Sequence, residues 1–362
     1  MKMKNGKRVL LFIDSMEAGG AQRQMAYLAC LLMQRGYVVK IITYGDNSFY
    51  APMLKSGGVS TEEIKGADSY IKRIPKVKIA IDEFKPDCVI SFLDTPCIIT
   101  SLIKAVYRKK WRLVVSERNT TQKMTLRERI KFYLYKYADA IVPNSHSQES
   151  FLRQNYPSMG SKIRTITNFV DTEKFRIDIC SEKKNRIVSV GRITPQKNIL
   201  NYIQAAKQVI DQGFEVTFDW FGNTDMPEYE QACYGLIKEL CMENHFVFHK
   251  AVTDIIPEYQ KSLAFCLPSI YEGFPNVVCE AMSCGIPVLC SNVCDNPKII
   301  TSEQYGFLFN PNNVNDISKN IIRYLKLGKE RTDKMGQNCR NVAITMFSKQ
   351  TFVKQYIELI ER

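Results

Sequence analysis

Long apolar runs are missing from this 362-residue chain, and none approaches the roughly 18 residues a membrane-spanning helix needs. Histidine is scarce, with only His146, His245 and His249. The twelve cysteines form no CxxC pair, and their closest group, Cys279, Cys284, Cys290 and Cys294, is irregularly spaced. That pattern argues against a zinc site. No Asp-x-Asp triplet, low-complexity tract or internal repeat occurs. The start, MKMKNGKRVLLFID, passes from a short basic lead straight into a strand-like run without a cleavage motif. The expectation is a cytoplasmic protein whose thiols stay reduced and serve as small buried hydrophobes.

What is present reads as a soluble globular chain, 45% hydrophobic and 24% charged, long enough for two domains. Its net charge of +13 is one-sided: residues 1–170 hold 28 Lys/Arg against 14 Asp/Glu, and residues 171–362 hold 22 against 23. A basic half attracts nucleic acid, an anionic membrane surface or a phosphorylated substrate. No nucleic-acid-binding motif accompanies the charge, so nucleic acid is not expected as a partner.

Short β-branched runs alternate with helical periodicity throughout, the pattern of βαβ units around parallel sheets. Strands are expected at Arg8–Ile13, Val38–Thr43, Cys88–Phe92, Leu113–Ser116, Ala140–Pro143 and Ile163–Thr167 in the first half. In the second half they are expected at Ile187–Val190, Val216–Phe221, Phe246–His249, Ala264–Leu267 and Val288–Ser291. The boundary falls in the polar stretch Asn168–Asn185, and helical periodicity runs from Val314 with a restart at Ser348. This gives an α/β chain of two doubly wound domains, 1–170 and 171–345, and a last helix, 346–362, packing back toward the first. Ligands of such sheets bind at strand carboxyl ends, so two facing sheets would enclose a cleft.

The strongest local signal is Ser269-Ile-Tyr-Glu-Gly-Phe-Pro-Asn-Val-Val-Cys-Glu280, read as strand, tight loop and helix start. Glu272 lies in the loop and Glu280 in the first turn or two of the helix. Backbone N–H groups near Asn276 and Val277 suit an anionic group. The two carboxylates could hold sugar hydroxyls and ribose hydroxyls on either side of it, or be a solvated acid and a helix-start charge. Gly191-Arg-Ile-Thr-Pro-Gln-Lys197 follows the first strand of the second half. Arg192 and Lys197 would there neutralise a diphosphate and stabilise it as a leaving group. Gly19-Gly20 follows the chain's first strand and opens a helix, letting backbone approach a phosphate.

Together these motifs, the Gly19-to-Gln24 loop, Asn168-Phe-Val-Asp171, the Gly191-to-Lys197 loop and the E-x7-E pair Glu272 and Glu280, resemble the family 4 glycosyltransferases. The resemblance spans nearly the whole chain and implies the GT-B fold: two Rossmann-like domains facing across a cleft. It implies retaining transfer from a nucleotide-diphosphate sugar, most commonly a UDP-sugar, without a metal or other cofactor. Glu272, Arg192 and Lys197 would be the catalytic groups. Gly19, Gly20, Arg192, Lys197, Phe274, Pro275, Asn276, Val277 and Glu280 would bind the donor. Where the family often has a histidine, the chain reads Glu117, Arg118 and Asn119. That variant resembles members building capsule, exopolysaccharide or lipid-linked oligosaccharide, and makes the three candidate acceptor-side groups. The alternative for them is a capped strand-to-helix turn. Lys298 and Lys250 stand where glutamate and glycine are commoner, which bears on donor identity.

The basic, aromatic segments Lys104–Arg112 and Lys123–Tyr137 suit an anionic bilayer, in keeping with a polyprenyl-diphosphate-linked or other glycan acceptor at the inner face of the plasma membrane. Helical periodicity also fits Leu126, Ile130, Leu134 and Tyr137 facing the core with the charges solvated. Rival readings are a nucleotide-sugar epimerase or hydrolase on the same fold, a basic nucleic-acid-binding protein, and an inactive sugar-binding scaffold. Donor turnover without acceptor would mark the first, and steep salt dependence of binding the second.

Overall fold

A computed structural model describes residues 6–17, 19–46, 48–66, 69–121 and 123–362. The basic lead through Asn5 lies outside the described residues. The chain divides into two compact units, residues 1–168 with 350–362, and residues 169–349.

Parallel strands buried on both faces require almost unbroken apolar runs. In the first unit β1 (Arg8–Phe12), β2 (Val38–Thr43), β4 (Cys88–Phe92), β5 (Arg112–Glu117) and β6 (Ala140–Pro143) supply them. With β3 (Ser60–Glu63) they form a six-stranded parallel sheet ordered β3-β2-β1-β4-β5-β6. β1 is central, its Val9 to Phe12 fully buried between β2 and β4. The last helix, Lys349–Glu361, groups with this unit from Gln350 onward. It buries Phe352, Val353, Tyr356, Leu359 and Ile360, and Glu361 bonds Lys7 at 3.1 Å and Tyr37 at 2.7 Å.

The second unit repeats the plan with β7 (Arg186–Val190), β8 (Thr217–Phe221), β9 (Phe246–His249), β10 (Ala264–Leu267), β11 (Val288–Ser291) and β12 (Gly306–Phe309). Their order is β12-β11-β10-β7-β8-β9, again all parallel. Along β10, Ala264 and Cys266 join one apolar core while Phe265 and Leu267 join another. That is the period-2 alternation of a strand covered on both faces. All twelve cysteines are free thiols and nine are buried, so they pack as small apolar groups.

Three expectations are corrected. Ile163–Thr167 is not a strand: Ile163 makes a single bridge to Ile141, and Arg164 and Ile166 each donate one backbone bond to the β6 side. The opposite sheet edge is completed instead by β3, whose sequence Ser-Thr-Glu-Glu carries no apolar run, and β12 extends the second sheet. The helix Leu126–Leu134 does not turn Leu126 and Ile130 to the core. Lys131, Phe132 and Tyr135 are buried instead, leaving Leu126 at 73% and Ile130 at 49% exposure, with Tyr137 also exposed.

No helix among the described residues is long and apolar enough to cross a membrane.

Candidate active site

In an open parallel sheet the crevice for a ligand lies where strand order reverses, outside the carboxyl ends. The second unit reverses between β7 and β10. The loops leaving those two strands are Gly191 to Asn198 and Pro268 to Pro275, the two segments singled out by sequence. The structure brings them together: Ile270 N–H donates to the Gln196 carbonyl at 2.9 Å, and Gln196 Nε2 donates to the Tyr271 carbonyl at 2.9 Å. Lys197 Nζ donates to Glu272 Oε1 at 2.6 Å, with the two side chains only 13% and 10% exposed. Charges so far out of water persist when paired, and here the pair spans both loops.

Close backbone approach permits this ledge. A Cβ on Gly191 would come within 2.9 Å of Lys197 Cε, and one on Gly222 within 1.9 Å of the Gly191 carbonyl oxygen. Trp220 Nε1 caps that oxygen at 2.8 Å. Asn198 adopts the left-handed φ of 58° that ends the turn after Lys197, and its Nδ2 donates to the carbonyls of Pro268 at 3.1 Å and Pro311 at 2.7 Å. Its binding together of three loops was not anticipated, although Asn after a 3-10 turn is a signal for that backbone region. Arg192 extends into solvent, 68% exposed, and reaches Asp225 at 3.5 Å.

The helix Asn276–Ser283 starts at this ledge and holds Glu280 in its second turn. Glu280 is 5% exposed, and the Tyr259 hydroxyl lies 3.5 Å from its Oε2. Asn276 N–H is already used by the Phe274 carbonyl at 2.9 Å, so of the two amides expected at the helix start Asn276's is committed within the chain. The Phe274 ring is buried against Phe347, so only its backbone can meet a ligand. The half-buried Cys294, at φ 50°, accepts from Glu272 N–H at 3.4 Å.

The first unit reverses between β1 and β4. After β1 come Asp14, which accepts from Gln22 Nε2 at 3.3 Å, and Gly19 and Gly20, which open the helix Gly20–Gln34. After β4, Leu93 takes φ 73°, a strained value for a residue with a side chain, before the helix Asp94–Tyr107.

Glu117 closes β5 and is 2% exposed. It accepts from Lys131 at 2.8 Å and from the Tyr135 hydroxyl, and Lys131 also reaches Asp94 at 2.9 Å. Burial raises the Glu117 carboxyl above its ordinary range, against the pull of Lys131. Burial also works to lower Lys131, but attraction from Glu117 and Asp94 leaves it raised, so the ammonium stays charged. Arg118 is 7% exposed, its guanidinium 3.6 Å from the Phe92 ring centroid. It donates to Asn168 Oδ1 at 2.9 Å and to the Tyr356 hydroxyl at 2.7 Å, and its buried Nε has no partner. Burial lowers its pKa. Glu117 is therefore committed inside the fold, and Asn119 is the exposed member of the three.

Among the described residues no group of three or more His, Cys, Asp or Glu could hold a metal ion.

Two adjoining family models match the chain: Glycosyltransferase Family 4 over residues 18–174 and Glycosyl transferases group 1 over residues 170–342. An Escherichia coli protein, UDP-Gal:alpha-D-GlcNAc-diphosphoundecaprenol alpha-1,3-galactosyltransferase, is 30% identical over 201 residues, about half of each chain (52% of this one, 51% of that one). A Campylobacter jejuni protein, N-acetylgalactosamine-N,N'-diacetylbacillosaminyl-diphospho-undecaprenol 4-alpha-N-acetylgalactosaminyltransferase, is 24% identical over 89% of this chain and 91% of its own. The fold matches the HepE protein of Anabaena, solved with UDP and glucose, at a TM-score of 0.83 and 18% identity, covering 98% of this chain and 99% of that one.

Proposed function

We propose that this chain, a glycosyltransferase belonging to family 4, moves a hexose or N-acetylhexosamine with retention from a nucleotide-diphosphate sugar, UDP-linked, to a hydroxyl of a lipid-linked glycan. The observation that carries the donor half is the Lys197–Glu272 pair at the switch point of the second sheet. A cation held there beside the solvent-reaching Arg192 suits a diphosphate, whose charge grows as it leaves. Glu280, nearly buried in the helix that starts at the ledge, takes the ribose hydroxyls, and Glu272 the sugar. Backbone at Val277 completes the donor contacts within the second unit.

The reaction balances without a protein nucleophile or metal. The bond from the anomeric carbon to the β-phosphate oxygen breaks, the acceptor oxygen bonds that carbon on the same face, and its proton passes to the released phosphate. Lys197, Arg192 and the Val277 N–H supply positioned charge in this scheme.

The acceptor half rests on Arg118, a buried guanidinium that forms no ion pair among the described residues and keeps one N–H unmet. A phosphate-bearing acceptor supplies the missing charge, with Asn119 at the surface beside it. Both relatives above are named for diphosphoundecaprenol-linked substrates, which supports a polyprenyl-diphosphate acceptor and work at a bilayer surface.

Thermal melts with UDP-, GDP-, ADP- and TDP-sugars in EDTA test the donor reading. UDP-sugars raise Tm, and Glu280→Ala weakens their binding by about 10- to 100-fold, the loss of hydrogen bonds to a charged group. No rise with any donor would overturn the reading, and donor consumed as fast without acceptor as with it would make the protein a hydrolase.

A further inference from the structure

The corrected orientation of the helix Leu126–Leu134 leaves a surface that donor chemistry does not use. Leu126, Ile130 and Tyr133 recur at helical spacing, are 73%, 49% and 62% exposed, and continue to Tyr137 in the following 3-10 turn. On a wheel of 3.6 residues per turn this stripe lies opposite the buried Lys131, Phe132 and Tyr135. Arg127 falls on one flank and Arg129 and Lys136 on the other, all three exposed. The Lys136 ammonium lies over the Tyr133 ring, 3.7 Å from its centroid, a cation held on the face of an exposed aromatic. Beside the stripe, Met124, Phe132, Tyr156 and Met159 line a hollow of about 510 Å³ that Arg129 and Lys136 also border.

The surroundings share this character. The helices Tyr70–Phe84, Asp94–Tyr107 and Leu126–Leu134 pack in succession. Residues 70–137 hold nine of the eighteen large apolar side chains that are exposed among the described residues. The same stretch carries 16 Lys/Arg against 6 Asp/Glu, most of the chain's net charge. Apolar groups scattered singly need no explanation, but a stripe framed by cations of one sign does.

We propose that the outer face of Leu126–Tyr137 seats on an anionic lipid bilayer, with Leu126, Ile130 and Tyr133 entering the headgroup boundary and Arg127, Arg129 and Lys136 meeting lipid phosphates. Charge selects this occupant over a second copy of the chain. Residues 123–137 contain five Lys/Arg and a single acid, Glu128, and a two-fold interface would set those cations against themselves. The inference rests on the lipid-linked acceptor of the preceding section for its purpose and not for its geometry. A bilayer-seated first unit meets an acceptor whose polyprenyl anchor never leaves the membrane.

The test is co-sedimentation with vesicles of phosphatidylcholine containing one part in three phosphatidylglycerol, and with pure phosphatidylcholine, at low and high salt. The protein partitions to the anionic vesicles, and raised salt releases it. Arg127→Glu with Arg129→Glu and Lys136→Glu weakens partitioning on the order of 100-fold, the product of about a fivefold contribution from each cation. Leu126→Ser with Ile130→Ser weakens it at unchanged charge, and Ile179→Ser, an exposed apolar residue of the second unit, leaves it as it was. Melting temperature and UDP-induced stabilisation, measured without vesicles, stay at the wild-type level in every variant. Failure of the donor reading therefore shows as a missing UDP response, and failure of the docking surface as wild-type partitioning in the variants. Absence of partitioning in the wild type, or a dimer that Leu126→Ser with Ile130→Ser converts to monomer, overturns the proposal.

Discussion

The two sheets share one plan and use their switch points differently. Each has six parallel strands, with its first and fourth strands adjacent at the reversal. In the second unit the ion pair at that place, Lys197–Glu272, lies on the loops that leave the two central strands. In the first unit the nearby pair, Lys131–Glu117, ties a helix to the end of β5 with both side chains almost fully enclosed, 4% and 1% exposed. On the proposed function, similar chemistry serves a site in one sheet and a packed layer in the other. Exposure of the partners, and not the presence of an ion pair, separates the roles.

Substitutions can break that distinction. Lys131→Met leaves Glu117 and Asp94 facing each other without their cation and should cost about 3–5 kcal/mol of stability, read by urea unfolding, while the surviving fold keeps its UDP response. Lys197→Ala should lower turnover by about 10²- to 10³-fold, a loss larger than the fall in Tm from leaving Glu272 without its cation accounts for. Turnover at the wild-type rate in both Lys197→Ala and Arg192→Ala would remove the second unit's claim to the diphosphate. Gly222→Ala drives a methyl into the Gly191 carbonyl and should destabilise by about 1–3 kcal/mol, with UDP stabilisation falling alongside. The smallest effect is a pH slope. The folded pKa of Glu117 is raised by burial, so its contribution is fully present below the unfolded value and is lost as pH rises through the folded one. Glu117→Gln should flatten the fall in stability across that window, and an unchanged slope would show that another group carries it.

Most of the sheet architecture was legible because central parallel strands announce themselves as apolar runs. Ten of the twelve strands among the described residues were so placed. The edges were harder: β3 is Ser-Thr-Glu-Glu and joins the sheet through backbone bonds to β2, which no side-chain pattern encodes. Ile163–Thr167 has the right alternation but only brushes β6. The two loops of the second unit were found from their motifs, whereas Asn198, which joins them to Pro311, acts through amide geometry that spacing does not reveal. The helix Leu126–Leu134 was misoriented because periodicity locates an apolar stripe without saying which side of the helix meets the sheet. Here the enclosed side is won by Lys131, Phe132 and Tyr135, whose partners Glu117 and Asp94 come from distant strand ends.

The Lys197–Glu272 pair also bears on how long a spent nucleotide stays. The ammonium is neutralised by its neighbour 2.6 Å away. If Lys197 takes the diphosphate as proposed, that group must compete with an internal carboxylate on arrival, and the carboxylate stands ready to recapture the lysine when the sugar has gone. On that assignment, affinity for product would be held down by the same group that handles the sugar, which favours fast clearance where release limits the cycle. Glu272 would then act as a timer for residence as well as a contact for substrate.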